Sequence, residues 1–537
     1  MSNNSHIKST FRNAIIYSGA TIVSKIIAFF MLPVYAHYLQ AEGYGIIGMV
    51  DVVISVATMM IGHGVSGSMW RFYYQKETEE ERNTLVSSTL VLMLVMVVTA
   101  SLPLLIFHEQ LGTIAFGKSG LGFYIVIASL TFICEMTSKT AEAYILIRQK
   151  ALVFTTVSIL RIILGLSLNI YFVVHLELGI MGVLYSSLIC GFAATVFMHV
   201  YAISKVGIHF SRTAVREVLG WSVPLLPGYI AMFVRGNADR VIMRTTLGLA
   251  QLGAYEMLNK FVSLLGVFIV EPFSKSWDAK RYEICDNPEG PGTMAKMFTI
   301  QVALLIFVGM VLALEIPLLL RVLTPKEFWL GQSVAALMVV SRILNAAYYQ
   351  LNFGLNYAKK TSTLSRIQIV SSVLDVGLNA SLIPLFGILG AAVASCVVAV
   401  IQCVMAFFGA RGYYPIFFQW RKIIQILLAG GVIFAAISQL SLESLGIAER
   451  LNRELAPTIH SAMTAMHLDA VKNGKLIQYT VNNISIIING CLRLILSLIF
   501  IPTMIYMEVF PRRIFSLRVI RDPLQKLTEV QSGTKAV

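Results

Sequence analysis

The sequence predicts an all-α integral membrane protein of about 14 transmembrane helices, two six-helix lobes related by a parallel internal repeat plus two appended helices. Three observations predict it: an apolar, charge-poor composition, a succession of span-length apolar runs, and one offset that relates two separate pairs of segments. Of 537 residues, 57% are hydrophobic and 13% charged, and mean hydropathy is +0.75. A soluble chain of this length needs far more charge to cover its surface. The formal charge of +14 does not indicate nucleic acid, because Lys and Arg sit in short gaps between apolar runs and form no basic patch. Cys134, Cys190, Cys285, Cys396, Cys403 and Cys491 lie mostly within apolar runs without CxxC spacing. Neither a disulfide framework nor a metal cluster is indicated, so they read as small packing residues.

A spanning helix needs roughly 20 mostly apolar residues. Such runs start near Ala14, Gly45, Leu85, Gly122, Val153, Ile180, Ser222, Leu252, Phe298, Leu330, Ile367, Gly387, Ile423 and Ile484. Lys8 and Arg12 precede the first run, which is about twice a signal-peptide apolar region and lacks a cleavage site, so it reads as a retained span. An even count puts both termini on one side. Of the 42 lysines and arginines, roughly 26 then fall in cytoplasmic segments, roughly 9 outside and roughly 7 within spans, which orients the chain with both termini in the cytoplasm. The expected organisation is a cytoplasmic N-terminus (1–13), a first lobe with spans 1 to 6 (14–210), a second with spans 7 to 12 (211–410), spans 13 and 14 (411–510), and a cytoplasmic tail (511–537). Between spans 13 and 14 the outer segment 441–482, with "LGIAERLNRELAPTIH", mixes charge and apolar residues at helical spacing. It reads either as an amphipathic helix at the outer interface or as a gating or partner-binding element.

The repeat rests on an offset of 208. "GIMGVLYSS" (Gly179 to Ser187) overlays "GILGAAVAS" (Gly387 to Ser395), and the same shift lays Leu39, Gly45 and Ser55 on Leu247, Gly253 and Ser263. Six spans are an even number, so both lobes face the same way, the parallel design of some secondary transporters, with substrate expected between them near the midplane. The Gly-x-x-Gly pairs mark tight turns and close helix approach; they identify the fold and not the site. "GTIAFGKS" (Gly112 to Ser119) fits the phosphate-loop pattern letter for letter, yet it follows a span instead of a strand and faces outward, so ATP hydrolysis is rejected. No HExxH, DxD or Ser-His-Asp arrangement suggests an enzyme either.

Charges within spans are the informative set, because each costs about 2.5 to 3.5 kcal/mol at a helix centre on insertion scales and must face a polar interior or a partner. Lys25, Arg161, Arg235, Arg240 and Arg342 are candidate anion contacts, and Asp51, Asp239 and Asp375 candidate coupling or pairing carboxylates. Glu135/Lys139 and Arg235/Asp239 are spaced i,i+4 and Lys139/Glu142 i,i+3, so each pair shares a helical face and reads either as a neutralised structural pair or as part of the site. Lys260 and Arg493 read as snorkelling or packing at the periphery. Lys25, Arg161 and Arg342 have no carboxylate within four residues on their own helices, which predicts an electropositive cavity. "RGNADR" (Arg235 to Arg240) lines it, its arginines suited to phosphate by their planar two-bond fork. Pro224 and Pro227 are expected to kink span 7.

Three stretches, "YLQAEGYG", "NADRVIMRTTLGLAQLGAY" and "LNASLIPLFGILGAAVAS", together resemble the polysaccharide transporter branch of the multidrug/oligosaccharidyl-lipid/polysaccharide exporter superfamily, the Wzx-type oligosaccharide flippases with a MATE-like fold. The likeness runs roughly from Phe11 to Phe510, nearly the whole chain. It implies a V-shaped bundle of two six-span lobes in the bacterial cytoplasmic membrane, moving an undecaprenyl-diphosphate-linked oligosaccharide to the outer leaflet by alternating access for surface polysaccharide synthesis. It implies no cofactor beyond proton or sodium coupling, and as partners the lipid-linked glycan, membrane lipid, a polysaccharide polymerase and assembly proteins. Only the Asp239–Arg240 pair and the general presence of basic cavity residues carry over from the family. The long outer segment departs from its compact form. Two rival readings stand beside it: a cation-coupled multidrug exporter of the same fold, which unpaired carboxylates would favour, and a membrane-embedded glycan polymerase or ligase, which needs no repeat of six spans.

Overall fold

The computed structural model describes residues 2–61, 64–439, 490–507 and 509, with side chains from Met31 onward apart from a few positions. The side chain of Lys25, the segment 441–482 and the tail 511–537 lie outside the described residues. Helix makes up 89% of the structure, and no strand occurs among the described residues. The helices are α1 (Ser2–Ile61), α2 (Gly64–Tyr73), α3 (Glu79–Ile106), α4 (His108–Phe116), α5 (Gly122–Ile147), α6 (Ala151–Asn169), α7 (Ile180–Val206), α8 (Arg212–Ser222) and α9 (Leu226–Leu247). They continue with α10 (Leu249–Leu265), α11 (Glu271–Ile284), α12 (Gly290–Leu323), α13 (Ala335–Leu351), α14 (Phe353–Tyr357), α15 (Thr361–Phe386), α16 (Ile388–Arg411) and α17 (Trp420–Gln439).

Ten helices among the described residues are long and apolar enough to cross a membrane. This is the expected all-α membrane class, with a smaller number than the fourteen read from the sequence. The fourteenth expected span begins at Ile484, outside the described residues, and the rest of the difference has a physical cause. α5 and α9, at 26 and 22 residues, have the length, but Glu135, Lys139 and Glu142 on one and Arg235, Asp239, Arg240 and Arg244 on the other dilute their apolar character. α1 covers both of the first two expected spans as two helices that meet at a kink, and it begins at Ser2, ahead of Ala14. Its break is at Gln40 (φ 58°, ψ 178°). There Glu327 accepts a hydrogen bond from the Ala41 amide at 3.2 Å, placing a carboxylate at the start of the second helical segment.

Two compact units form. One comprises Met1–Lys260, Leu323–Val334 and Ser362–Gln402; the other Phe261–Val322, Ala335–Thr361 and Cys403–Val537. In the first, the repeat is written in the backbone. Gly179 (φ 56°) and Gly387 (φ 61°), 208 apart, occupy the same left-handed conformation just ahead of α7 and α16. Gln40 and Gly248 (φ 91°), also 208 apart, break the chain ahead of equivalent segments. Those segments cross reciprocally. A Cβ on Gly45 would run into the Leu249 carbonyl oxygen, and one on Gly253 into that of Ala41, where 41 and 249 are themselves equivalent. Two copies of one helix therefore touch backbone to backbone about a local two-fold, which only glycine permits.

In the second unit, Gly309 of α12 receives the Ile343 side chain of α13, and Phe307 stacks on Phe500 at 5.9 Å between centroids. Trp277, Cys285, Met294, Phe353 and Tyr414 form an apolar cluster. Pro224 and Pro227 fall where the helical run from α8 to α9 is interrupted by a 3-10 turn (Val223–Leu225), so the break expected in span 7 sits at these prolines.

Candidate functional site

The polar stretch of α9 is held by three other helices. Arg235 donates to Gln368 of α15 at 2.9 Å and to Gln402 of α16 at 2.6 Å. Gln402 is fully buried and donates to Gln368 at 3.4 Å, joining the two amides. One helical turn on, Arg240 meets Glu256 of α10 with both arms of its fork, Nε to Oε1 at 2.6 Å and Nη2 to Oε2 at 3.2 Å, and reaches Asn237 at 3.2 Å. The Glu256 side chain is only 6% exposed, so its charge is viable there because the paired, bidentate guanidinium replaces water. Asp239 accepts the Tyr255 hydroxyl at 2.5 Å and the Arg240 backbone N–H at 2.9 Å.

The network extends in both directions inside this unit. Buried Asp375 of α15 has Asp239 and Arg235 as charged neighbours. Asp51 of α1, exposed, has Lys260, Arg240 and Glu135. Glu135 of α5 accepts from Arg161 of α6, both half-exposed. The result is a chain of polar groups that leads from α6 through α5, α1, α10 and α9 to α15 and α16. It mixes signs: Arg161 pairs with Glu135 and Arg240 with Glu256, while Asp51 lies near both Lys260 and Glu135, and Asp375 near both Arg235 and Asp239. Each internal bond lowers the cost of holding charge inside the bilayer.

Outside this network, "GTIAFGKS" is no phosphate cradle. Gly112 is inside α4, and Gly117 (φ 71°) closes that helix from a left-handed C-terminal position, its N–H on the Thr113 carbonyl at 2.8 Å. A phosphate loop opens a helix and aims its amides at the ligand; here the motif ends one, and Lys118 is paired with Glu42 at the surface.

Residues 34–276 match the model of a family described as polysaccharide biosynthesis protein. Over that stretch, less than half of the chain, the sequence is similar to polysaccharide biosynthesis proteins. It is similar to a Haloferax volcanii protein named probable low-salt glycan biosynthesis flippase Agl15, 21% identical over 444 residues that cover 79% of this chain and 89% of that one. The lipid II flippase MurJ, in an inward closed conformation, has a similar fold at TM-score 0.68 and 14% identity, covering 92% of this chain and 99% of that chain. An inward-facing multidrug resistance MATE family transporter gives TM-score 0.52 and 14% identity over 75% of this chain and 95% of that chain. The exporter fold is thus shared with proteins named for both lipid-linked and drug substrates.

The structure brings together Asp51, Glu135, Arg161, Arg235, Asp239, Arg240 and Asp375; of the pairs that helical spacing suggested, Lys139/Glu142 forms, while Glu135 finds its partner on another helix. Glu135 takes Arg161 of the next helix, while Lys139 pairs with Glu142 at 2.9 Å. Arg161 is therefore neutralised by a helix it does not belong to. The described bonds of Arg235 run to Gln368 and Gln402, and the Arg240 guanidinium is held by Glu256 where Asp239 was expected. Lys260 faces Asp51 electrostatically, more than a peripheral packing residue would. Among its described members the network carries five carboxylates beside four cations. Arg342 is exposed and belongs to the other compact unit. Glu256, Tyr255, Gln368 and Gln402 are the site residues that sequence reasoning missed. Glu256 was detectable as a carboxylate four residues before Lys260 in an apolar run. The glutamines and the tyrosine are uncharged and carry no such signal.

Proposed function

We propose that this exporter flips a lipid-linked glycan, the undecaprenyl-diphosphate-linked oligosaccharide of bacterial surface polysaccharide assembly, across the cytoplasmic membrane by alternating access. A diphosphate and a sugar chain do not cross hydrocarbon unaided, whereas a polyprenyl tail stays in lipid beside an open groove. The two six-span lobes, residues 14–210 and 211–410, are the rocking bodies of this reading, with both termini cytoplasmic. The observation that carries it is the chemistry around Arg235: a guanidinium from α9 presented to neutral amide oxygens of α15 and α16. A phosphate oxygen can take the place of such an amide acceptor, and the planar fork fits two oxygens at once. Arg240 and Glu256 fix the helix that carries it. The printed names of the Haloferax flippase and of MurJ support the same substrate class.

A second reading, the cation-coupled drug exporter, is favoured by the carboxylates Asp51, Asp239 and Asp375 around the network. Surface-glycan complementation separates the two. Arg235→Ala, present at wild-type membrane levels, is expected to abolish complementation, and Arg235→Lys to restore part of it by keeping charge without the fork. Full complementation by Arg235→Ala, with drug efflux lost in Asp375→Asn, would replace the flippase reading with the cation exporter.

A further inference from the structure

The second compact unit holds a recess that the translocation network does not use. About 320 Å³ in volume, it opens between the end of α16 and the start of α17, with Phe407, Arg411, Tyr414, Phe417, Phe418 and Trp420 in its wall. Its shape is set by packing. Gly354 of α14 lies against the Ala410 backbone, where a Cβ would come 2.7 Å from the carbonyl oxygen. Phe407 meets Trp420 edge-on at 5.4 Å, Phe418 meets Phe298 at 4.9 Å, and the Tyr414 hydroxyl donates to the Cys285 carbonyl at 2.8 Å.

Two properties of the recess point to one kind of ligand. The first is charge. Arg411 in the wall and Arg421 beside it are exposed, and Lys360 stands 5.2 Å over the Tyr413 ring. The neighbouring carboxylate, Asp286, already accepts the Tyr357 hydroxyl at 2.7 Å. The second is the surface that continues from the recess along the spans. Phe408 and Phe417 are 65% and 82% exposed, and Ile424, Leu427 and Leu428 of α17 are exposed as well. Half-exposed Trp420 and Tyr413 between the cations and this apolar strip mark the depth of a membrane–water interface. A ligand with an anionic head at the arginines and a hydrocarbon tail along α16 and α17 satisfies both, and basic clusters at the cytoplasmic ends of spans are suited to such lipids.

We propose that this recess binds an anionic phospholipid of the cytoplasmic leaflet, its phosphate at Arg411 and Arg421 and its acyl chains against Phe408 and Leu428. The aromatic and aliphatic wall offers little to a sugar chain, which separates the site from that for the exporter's glycan. The test uses the full chain in phosphatidylcholine nanodiscs titrated with phosphatidylglycerol, with bound lipid counted by native mass spectrometry. Arg411→Gln with Arg421→Gln is expected to unfold at the wild-type temperature in pure phosphatidylcholine while phosphatidylglycerol retention weakens about thirtyfold, the loss expected for two cations at an anionic lipid. If the double variant does not accumulate, Arg411→Gln alone, at an exposed position, is expected to weaken retention about fivefold on the same scale. Control changes Arg212→Gln and Arg216→Gln on α8 are expected to leave retention unchanged. Equal retention by wild type and the Arg411 variants, or equal retention of phosphatidylcholine, would overturn the proposal. So would displacement of the phospholipid by a polyprenyl diphosphate, which would make the recess a substrate site.

Discussion

Two copies of one helix segment, residues 41–52 of α1 and 249–260 of α10, share a backbone and differ in chemistry. Both follow a residue of positive φ, and both press a glycine, Gly45 or Gly253, into the other's backbone. Past the crossing they diverge. Position 48 is glycine where position 256 is glutamate, 51 is aspartate where 259 is asparagine, and 52 is valine where 260 is lysine. The Glu256 side chain lies over Gly48, where a Cβ would come 3.0 Å from its Cγ, so one copy leaves the space that the other copy's carboxylate fills on its way to Arg240. The repeated backbone gives a symmetric crossing, and the differences at 48/256, 51/259 and 52/260 place charges of the network beside it. A polar core inside hydrocarbon needs such a scaffold, because it is stable only where its partners are held at fixed distances.

The largest test of this comparison is Gly45→Val or Gly253→Val. Each puts side-chain atoms into a backbone carbonyl that cannot swing aside, and most folded protein is expected to disappear from the membrane, as measured by fluorescence-detected size exclusion. Gly48→Ala crowds the Glu256 Cγ at 3.0 Å, a side-chain contact and not a backbone carbonyl, and is expected to accumulate at a level between that of Gly45→Val and wild type. If Gly45→Val accumulates like Gly48→Ala, the reciprocal crossing does not hold the copies together.

Next in size is Glu256→Ala. It strands the Arg240 guanidinium in a largely buried setting, an expected cost of about 3 to 5 kcal/mol. Glu256→Ala with Arg240→Met is expected to recover much of that loss in a thermal unfolding assay, since the double change removes both charges. A double variant no more stable than Glu256→Ala would show that the asymmetric carboxylate acts through something other than this pair.

The smallest effect belongs to Lys118→Ala. Its pair with Glu42 is exposed on both sides and is worth about 0 to 1 kcal/mol. Glycan complementation near the wild-type level is expected, together with absence of magnesium-dependent ATPase activity in purified protein. Loss of complementation at normal membrane levels would return the Gly112–Ser119 stretch to consideration as a site.

Much of the architecture was legible before any coordinates. The offset of 208 was visible in short glycine-bearing matches because tight turns and helix crossings tolerate so few residues that the pattern survives while the rest of the sequence drifts. The membrane class followed from composition, and the polar stretch of α9 announced itself by the cost of arginine in an apolar run. Pairing was legible only in part, in Lys139 and Glu142. Glu135 is four residues from Lys139 and twenty-six from Arg161, yet it takes the arginine, because α5 and α6 bring their facing sides together while Lys139 turns toward Glu142.

By itself, then, the sequence determined the solvent, the repeat and the residues that had to find polar company, since each of these follows from the free energy of a group in hydrocarbon and needs no partner to be named. Only the tertiary structure decided which partners they found. Arg235 went to two uncharged glutamines that no insertion cost marks, and Arg240 to a glutamate sixteen residues away on the next helix. Distances between helices, set by the glycine crossing and by side-chain packing, select among carboxylates that helical spacing alone leaves equivalent.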